Sequence, residues 1–218
     1  MAGNMKALRY TLVTDGSSDK ALLPVLTWVL RAQHITCPIQ PIWADLRHLA
    51  RPLKNLAERV RWSLELYPCD LLFIHRDAEA APREKRVTEI QRALRMIGTW
   101  HSELTMCVVP IRMTEAWLLL DEVALRRASG NPNGQQPLQL PPMIQLEQLP
   151  DPKRVLYQLL SEASGLGERR KKRFSVNTRT HRIAEFIGDF SPLRALSAFR
   201  ALESDVATVV TAKGWQTW

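Results

Sequence analysis

Residues 70–79 read DLLFIHRDAE, and the interpretation of the whole chain starts from this stretch. Its first part is a nearly continuous apolar run, which is typical of a parallel strand that is buried on both faces of a sheet. The run then changes abruptly to the polar sequence HRDAE at residues 75–79. Because ligands bind beyond the carboxyl ends of parallel strands, these polar residues are where chemistry is expected.

The flanking sequence alternates between strand-like and helical patterns. Residues 8–14 (LRYTLVT) and 104–110 (LTMCVVP) predict strands, and residues 35–44 (ITCPIQPIWA) predict an edge strand because they contain two prolines. Apolar residues recur at helical spacing between the strands. These helical patterns cover residues 22–30, 49–64 and 87–97. The alternation predicts an α/β fold with a mainly parallel four-stranded sheet flanked by helices.

The predicted α/β domain covers residues 1–128. Residues 129–150 contain NPNG and a proline pair, which predict an irregular linker or excursion. Residues 151–218 predict a helical C-terminal region, which we expect to pack on the same domain. Its helical patterns cover residues 153–163, 180–187 and 192–210.

The composition narrows the class of protein. The formal net charge is +8 and the pI is about 9.8, which favours polyanionic partners such as nucleic acid. The cysteines are odd in number and far apart, so they predict free thiols in a reducing cytoplasm rather than a zinc site. No long apolar stretch predicts a membrane helix, and we expect neither a signal peptide nor a membrane partner.

Acidic residues follow three of the predicted strands. Asp15 follows the first strand and precedes Gly16, which permits a tight turn; Asp77 and Glu79 follow the third strand. Glu115 and Asp121 follow the fourth. Converging carboxylates repel one another unless a cation joins them, and Mg²⁺ prefers oxygen ligands. The pattern therefore predicts a magnesium site, in which manganese could substitute.

Asp77 and Glu79 are expected to point the same way, because side chains in an extended segment alternate with a period of two. The alternative is that each acid caps a helix or pairs with an arginine. Asp19 illustrates that alternative, since it is placed to act as a first-turn acid of a helix. Asp19, His75 and Asp121 are also candidates to contact the metal ligands without binding the ion themselves.

The order of these acids resembles the TOPRIM fold of topoisomerases, bacterial primases and OLD-family nucleases. There a strand ends in Glu-Gly and a later strand ends in Asp-x-Asp; here the matching residues are Asp15-Gly16 and Asp77-Ala78-Glu79. The resemblance covers about residues 6–125. It implies that Asp15 is a catalytic acid/base or metal ligand, and that Asp77 and Glu79 bind Mg²⁺.

Later motifs resemble one bacterial branch of this superfamily that is often encoded beside ATPases in phage-defence regions. They are EAWLLLD at residues 115–121, DPK at 151–153 and SPL at 191–193. The resemblance implies a partner ATPase and makes Glu115 a further ligand or catalytic residue. No tyrosine is placed to act as a topoisomerase nucleophile, so hydrolysis by activated water is the simpler scheme.

Candidate nucleic-acid contacts are the basic residues nearest the acids and those in the densest positive run. The functional interpretation of the run is phosphate contact, and the alternative is a solvated loop. These candidates are Arg76, Arg169, Arg170, Lys171, Lys172 and Arg173.

Two functions from different classes follow. The first is a magnesium-dependent nuclease acting on DNA or RNA, the effector of an ATPase-containing system. The second is a catalytically degenerate TOPRIM-like module that binds nucleic acid or a partner ATPase. Two departures from the TOPRIM pattern favour it, the aspartate at position 15 and the glutamate at position 79. A phosphatase or nucleotide-handling enzyme on the same sheet architecture is a third possibility, because fold alone does not decide function.

Overall fold

The computed structural model of the protein describes residues 7–79, 81–98, 100–171 and 173–216. Strands and helices alternate through the first half of the chain. The elements are β1 (Leu8–Val13), α1 (Leu22–Ala32), β2 (Ile39–Trp43), α2 (Leu56–Leu66), β3 (Leu71–His75), α3 (Arg83–Ile97) and β4 (Thr105–Val108).

The second half of the described chain is helical. Its helices are α4 (Glu122–Ser129), α5 (Pro152–Ala163), the single turn α6 (Glu168–Lys171), α7 (Asn177–Phe186) and α8 (Ser197–Lys213). Short 3₁₀ segments lie at Ser18–Ala21, Ser102–Leu104, Thr114–Leu118, Met143–Gln148 and Ser191–Ala195.

The sheet is entirely parallel, with the strand order β2-β1-β3-β4. This confirms the predicted α/β fold, and it places β2 at an edge, as its prolines predicted. The chain leaves β1 for β2 on one side and then crosses back to β3 on the other. The order of the strands therefore reverses between β1 and β3, and a crevice is expected at their carboxyl ends.

The central strand β3 is buried on both faces. Leu71 and Phe73 belong to one apolar cluster, whereas Leu72 and Ile74 belong to another. The first cluster contains α1 and the C-terminal helices, and the second contains α2 and α3. This alternation explains the continuous apolar run, because successive side chains enter opposite cores.

The C-terminal helices pack on the same core as α1. Trp117 is fully buried and meets Phe199 of α8 edge to face, with ring centroids 5.4 Å apart. Trp28 of α1 lies 6.2 Å from both Phe190 and Phe199. The predicted irregular segment begins one residue later, because Ser129 ends α4; residues 130–150 contain only the 3₁₀ segment Met143–Gln148.

The helix predicted over residues 49–64 begins later than its apolar spacing indicated. The Asn55 side chain accepts a hydrogen bond from the Glu58 backbone N–H at 2.9 Å, so α2 begins at Leu56. The preceding backbone N–H of Lys54 donates to the Glu58 carboxylate at 3.0 Å. This capping fixes the helix start, and Leu49 and Leu53 lie in the loop that follows β2.

Among the described helices, none is long and apolar enough to cross a membrane.

Phe199→Ala is expected to destabilise the whole fold by about 3–5 kcal/mol, because it removes a buried ring that joins α8 to Trp117 and Trp28. Urea unfolding followed by far-ultraviolet dichroism should show one transition, shifted to lower urea. Ile144→Ala is the control, since Ile144 is 72% exposed. Two separate transitions in the variant would show that the C-terminal helices do not share the core.

Candidate functional site

Three of the predicted acids lie at the carboxyl ends of β1, β3 and β4. Asp15 follows β1, Asp77 follows β3, and Glu115 lies in the 3₁₀ segment after β4. The loops after β3 and β4 remain paired, since the N–H of Ala78 donates to the Pro110 carbonyl at 3.1 Å. This pairing continues the sheet past its last strand residues and brings Asp77 beside residues 114 and 115.

His75 is the buried centre of this cluster. Its side chain is 1% exposed, and its Nε2 lies 3.1 Å from Asp77 Oδ1 and 2.9 Å from the Thr114 hydroxyl. Its Nδ1 lies 3.6 Å from Asp19 Oδ2. Burial alone would lower the pKa of His75, but the hydrogen bond to Asp77 and the negative charges of Asp19, Asp77 and Asp15 together raise it. The neighbouring carboxylates thus favour the protonated form of the ring.

Asp19 is buried behind the first loop, and its carboxylate accepts the Gly16 N–H at 3.2 Å. Burial raises the pKa of Asp19; attraction to His75 lowers it, while repulsion from Asp77 and Asp15 adds to the rise. Asp19 lies in the predicted first turn, but its contacts show that it also belongs to the acidic cluster.

Asp77 is held through one of its two oxygens. Oδ1 accepts the Thr114 backbone N–H at 2.9 Å and contacts His75 and the Thr114 hydroxyl. Within the described part of the chain, Oδ2 has no such partner. Asp77 is therefore oriented by the protein while one oxygen stays available to a ligand.

Glu115 is 7% exposed and faces the other acids. Burial raises the pKa of Glu115, and the charges of Asp77 and Asp19 raise it further. Its own backbone N–H and Lys153, whose Nζ lies 3.9 Å from Oε1, offset part of this rise. A buried carboxylate that resists ionisation in this way would gain from a cation.

Two arginines hold Asp15. Arg59 Nη1 lies 2.7 Å from Oδ1, and Arg76 Nε lies 2.9 Å from Oδ2. The Asp15 side chain is nevertheless 50% exposed. Asp15 thus has a fixed orientation at the mouth of the site, with both oxygens engaged.

Glu79 does not lie in an extended segment, so the prediction that it points the same way as Asp77 is wrong. Its φ is 55°, in the left-handed region. Its N–H donates to the Arg112 carbonyl at 2.9 Å, and its carboxylate lies 3.2 Å from Arg86 Nη2. The pairing of the β3 and β4 loops turns the backbone here and sends the side chain, 67% exposed, toward Arg86.

Asp121 caps a helix, which was the alternative interpretation of these acids. Its side chain accepts the Ala124 N–H at 3.0 Å and begins α4. The capping bond gives Asp121 a structural role that accounts for its position.

The basic candidates are divided between two places. Arg76 contacts Asp15 and lies 3.6 Å from Glu89, so it belongs to the site. Arg169 and Arg170 of α6 are exposed, as is Arg173, whereas Lys171 is half-buried. Lys172 lies outside the described residues.

Several residues of the site were missed by sequence reasoning. Thr114 orients Asp77, Arg59 holds Asp15, and Arg86 donates to the Asp77 carbonyl at 3.0 Å. Arg59 and Arg86 lie on helices, where a basic residue is ordinarily solvent-facing. Only their position over the sheet edge distinguishes them from other surface arginines.

Among the described residues, no three His, Cys, Asp or Glu side chains converge as a ready metal cage. Magnesium, however, is commonly held by one or two carboxylates together with waters and substrate phosphates. The free Oδ2 of Asp77 and the buried carboxylate of Glu115 supply hard oxygen donors of that kind. Donors of this kind suit an ion held in part by waters and substrate oxygens, whereas both oxygens of Asp15 are engaged by arginines.

Comparisons with protein families, curated proteins and solved structures found no match for this chain. The resemblance to TOPRIM proteins therefore stays a prediction from the sequence.

Glu115→Gln is expected to stabilise the metal-free protein at pH 8 by on the order of 1 kcal/mol. The raised pKa of Glu115 means that the folded state binds its proton more tightly than the unfolded state. Stability is therefore lost as the pH rises from the ordinary glutamate pKa through the folded value, and glutamine escapes this loss. The difference between variant and wild type should shrink toward pH 4.

Urea unfolding in EDTA at pH values from 4 to 8 measures this difference. Glu65→Gln is the matched control, because Glu65 is an exposed residue of α2. A Glu115→Gln protein that is less stable than wild type at pH 8 would mean that the carboxylate is well stabilised by its neighbours.

Proposed function

We propose that this protein is a magnesium-dependent phosphodiesterase that acts on nucleic acid. One observation carries the proposal: four carboxylates that follow three different strands lie within electrostatic reach of one another at the point where the strand order reverses, and two of them flank the buried His75. The carboxylates are Asp15, Asp19, Asp77 and Glu115. Assembling so much negative charge is unfavourable in the isolated protein, so the arrangement is best explained by a cationic ligand.

Different residues of the chain would bind the ion and the substrate. Asp77, oriented by His75 and the Thr114 N–H, presents one oxygen to the ion, and Glu115 presents a carboxylate from the β4 side. When bound, Mg²⁺ would stabilise charge on the phosphoryl group and lower the pKa of a bound water. Arg59 and Arg76 fix Asp15 and add positive charge beside it.

Asp15 is proposed as the residue that assists proton transfer or completes the ion's ligands. It is half exposed and oriented through both oxygens, which suits a group that meets a substrate at the mouth of the site.

The nucleic-acid substrate is supported by charge. The chain carries a net charge of +8, and arginines surround the acids at the sheet edge. A polyanion would be attracted to this surface while the acids hold the ion. The resemblance adds a cytoplasmic role as effector subunit of an ATPase-containing phage-defence system, and this part of the proposal rests on the resemblance alone.

A second candidate is a degenerate module that binds nucleic acid or a partner without catalysis. The observation that favours it is that arginines already neutralise two of the three predicted ligands. Asp15 is held by Arg59 and Arg76, and Glu79 by Arg86. Such a module would bind its partner without metal.

Asp77→Asn is expected to abolish Mg²⁺ or Mn²⁺ binding and to reduce cleavage of DNA or RNA at least about 100-fold, because it removes the oriented carboxylate. Calorimetry measures the ion, and gel assays measure cleavage by the protein alone and with an ATPase encoded beside it. Glu79→Gln should retain most activity, since its side chain faces Arg86.

Asp205→Asn is the control for loss of a surface carboxylate, because Asp205 is an exposed residue of α8. Wild-type protein that neither binds the ions nor cuts DNA or RNA would contradict the enzyme proposal. Metal-independent binding of nucleic acid that is unchanged in Asp77→Asn would instead favour the degenerate module.

A further inference from the structure

A cavity of about 360 Å³ lies beside Asp15, at the carboxyl ends of β1 and β2. One wall is the loop from Thr14 to Ser17, and the other is the loop between β2 and α2. Three guanidinium groups line it, from Arg47, Arg51 and Arg59. We refer to this cavity as the arginine pocket.

The lining of the arginine pocket is more basic than acidic, although Asp45, which lies outside the lining, pairs with Arg47. Asp15 is the one acid among its described lining residues, against three arginines. Arg59 bridges the pocket and the acidic site, because its Nη1 reaches both Asp15 Oδ1 at 2.7 Å and the Thr14 carbonyl at 3.2 Å. Because Arg47 pairs with Asp45 and Arg59 with Asp15, the excess positive charge of the pocket comes from Arg51, and it favours an anion next to the acidic cluster.

The other two arginines of the pocket, Arg47 and Arg51, differ in their contacts. Arg47 makes a two-point contact with the Asp45 carboxylate at 2.5 and 2.8 Å, and its guanidinium lies 5.2 Å over the Trp43 ring. Arg51 is exposed, and no described carboxylate pairs with it. Arg47 is therefore held in place, and Arg51 is not paired with a described carboxylate. The N–H groups that they leave unused can donate to a ligand with several acceptor oxygens.

We propose that the arginine pocket binds a backbone phosphate of a single nucleic-acid strand, next to the phosphate that lies at the acidic cluster. Planar guanidinium groups match the spacing of phosphate oxygens, and the cavity has room for about one nucleotide unit rather than a duplex. The shared Asp15 wall makes the two positions neighbours. The inference rests on the proposed function, since it names the substrate's path past the same acids.

Fluorescence anisotropy with a labelled 12-nucleotide single-stranded DNA, in EDTA, tests this without requiring cleavage. Arg51→Ala is expected to weaken binding about fivefold at moderate salt and to reduce the slope of log affinity against log salt by about 1. The double variant Arg47→Ala/Arg51→Ala should weaken binding further. Arg92→Ala, an exposed arginine of α3, removes the same charge elsewhere and should change affinity less than twofold.

Equal binding by Arg51→Ala, the double variant and Arg92→Ala would overturn the proposal. Displacement of the labelled strand by a mononucleotide at equal concentration would also overturn it, because the pocket would then take a free nucleotide. Circular dichroism checks that each variant is folded. Because the assay contains no metal, loss of binding in Arg51→Ala would support the pocket even if no nuclease activity were found.

Discussion

The contact of the buried His75 with Asp19 on one side and Asp77 on the other is the interaction on which the site depends. The last residue of β3 places an imidazole where β1 and β3 end, between carboxylates that would otherwise repel. The negative charges around it raise the pKa of His75 despite its burial. The ring contacts Oδ1 of Asp77 and leaves Oδ2 without a partner among the described residues.

Positive groups other than His75 also stabilise the acidic site. Arg59 and Arg76 neutralise Asp15, Arg86 binds the backbone of Asp77, and Lys153 approaches Glu115. Even so, the pKa values of Asp19 and Glu115 remain raised. Perturbed pKa values of this kind cluster at the functional sites of proteins.

The strand order also places the arginine pocket beside the acids. The chain turns from β1 into α1 on one face, and from β2 into α2 on the other, so the two loops diverge and leave a recess between them. The helix start at Leu56 matters here, because a helix beginning at Leu49 would have included Arg51 and shortened the loop that carries Arg47. Capping by Asn55 thus shapes the surface next to the site.

The sequence by itself determined the elements whose signals are local. The apolar run of β3, the prolines of β2 and the alternation of strands with helices predicted the parallel sheet. The placement of Asp15, Asp77 and Glu115 after strands predicted that these acids would share one edge, because parallel strands end together. Periodicity and strand context suffice for such inferences.

Only the tertiary structure decided which side chains face one another. Glu79 turned away because loop pairing imposed a left-handed backbone, and Asp19 joined the cluster although its local pattern was that of a helix-start acid. Arg59 and Thr114 were unremarkable in sequence, and they became site residues through contacts across 44 and 37 positions of the chain. Contacts over such separations depend on crossover geometry and loop conformation, which no local pattern encodes.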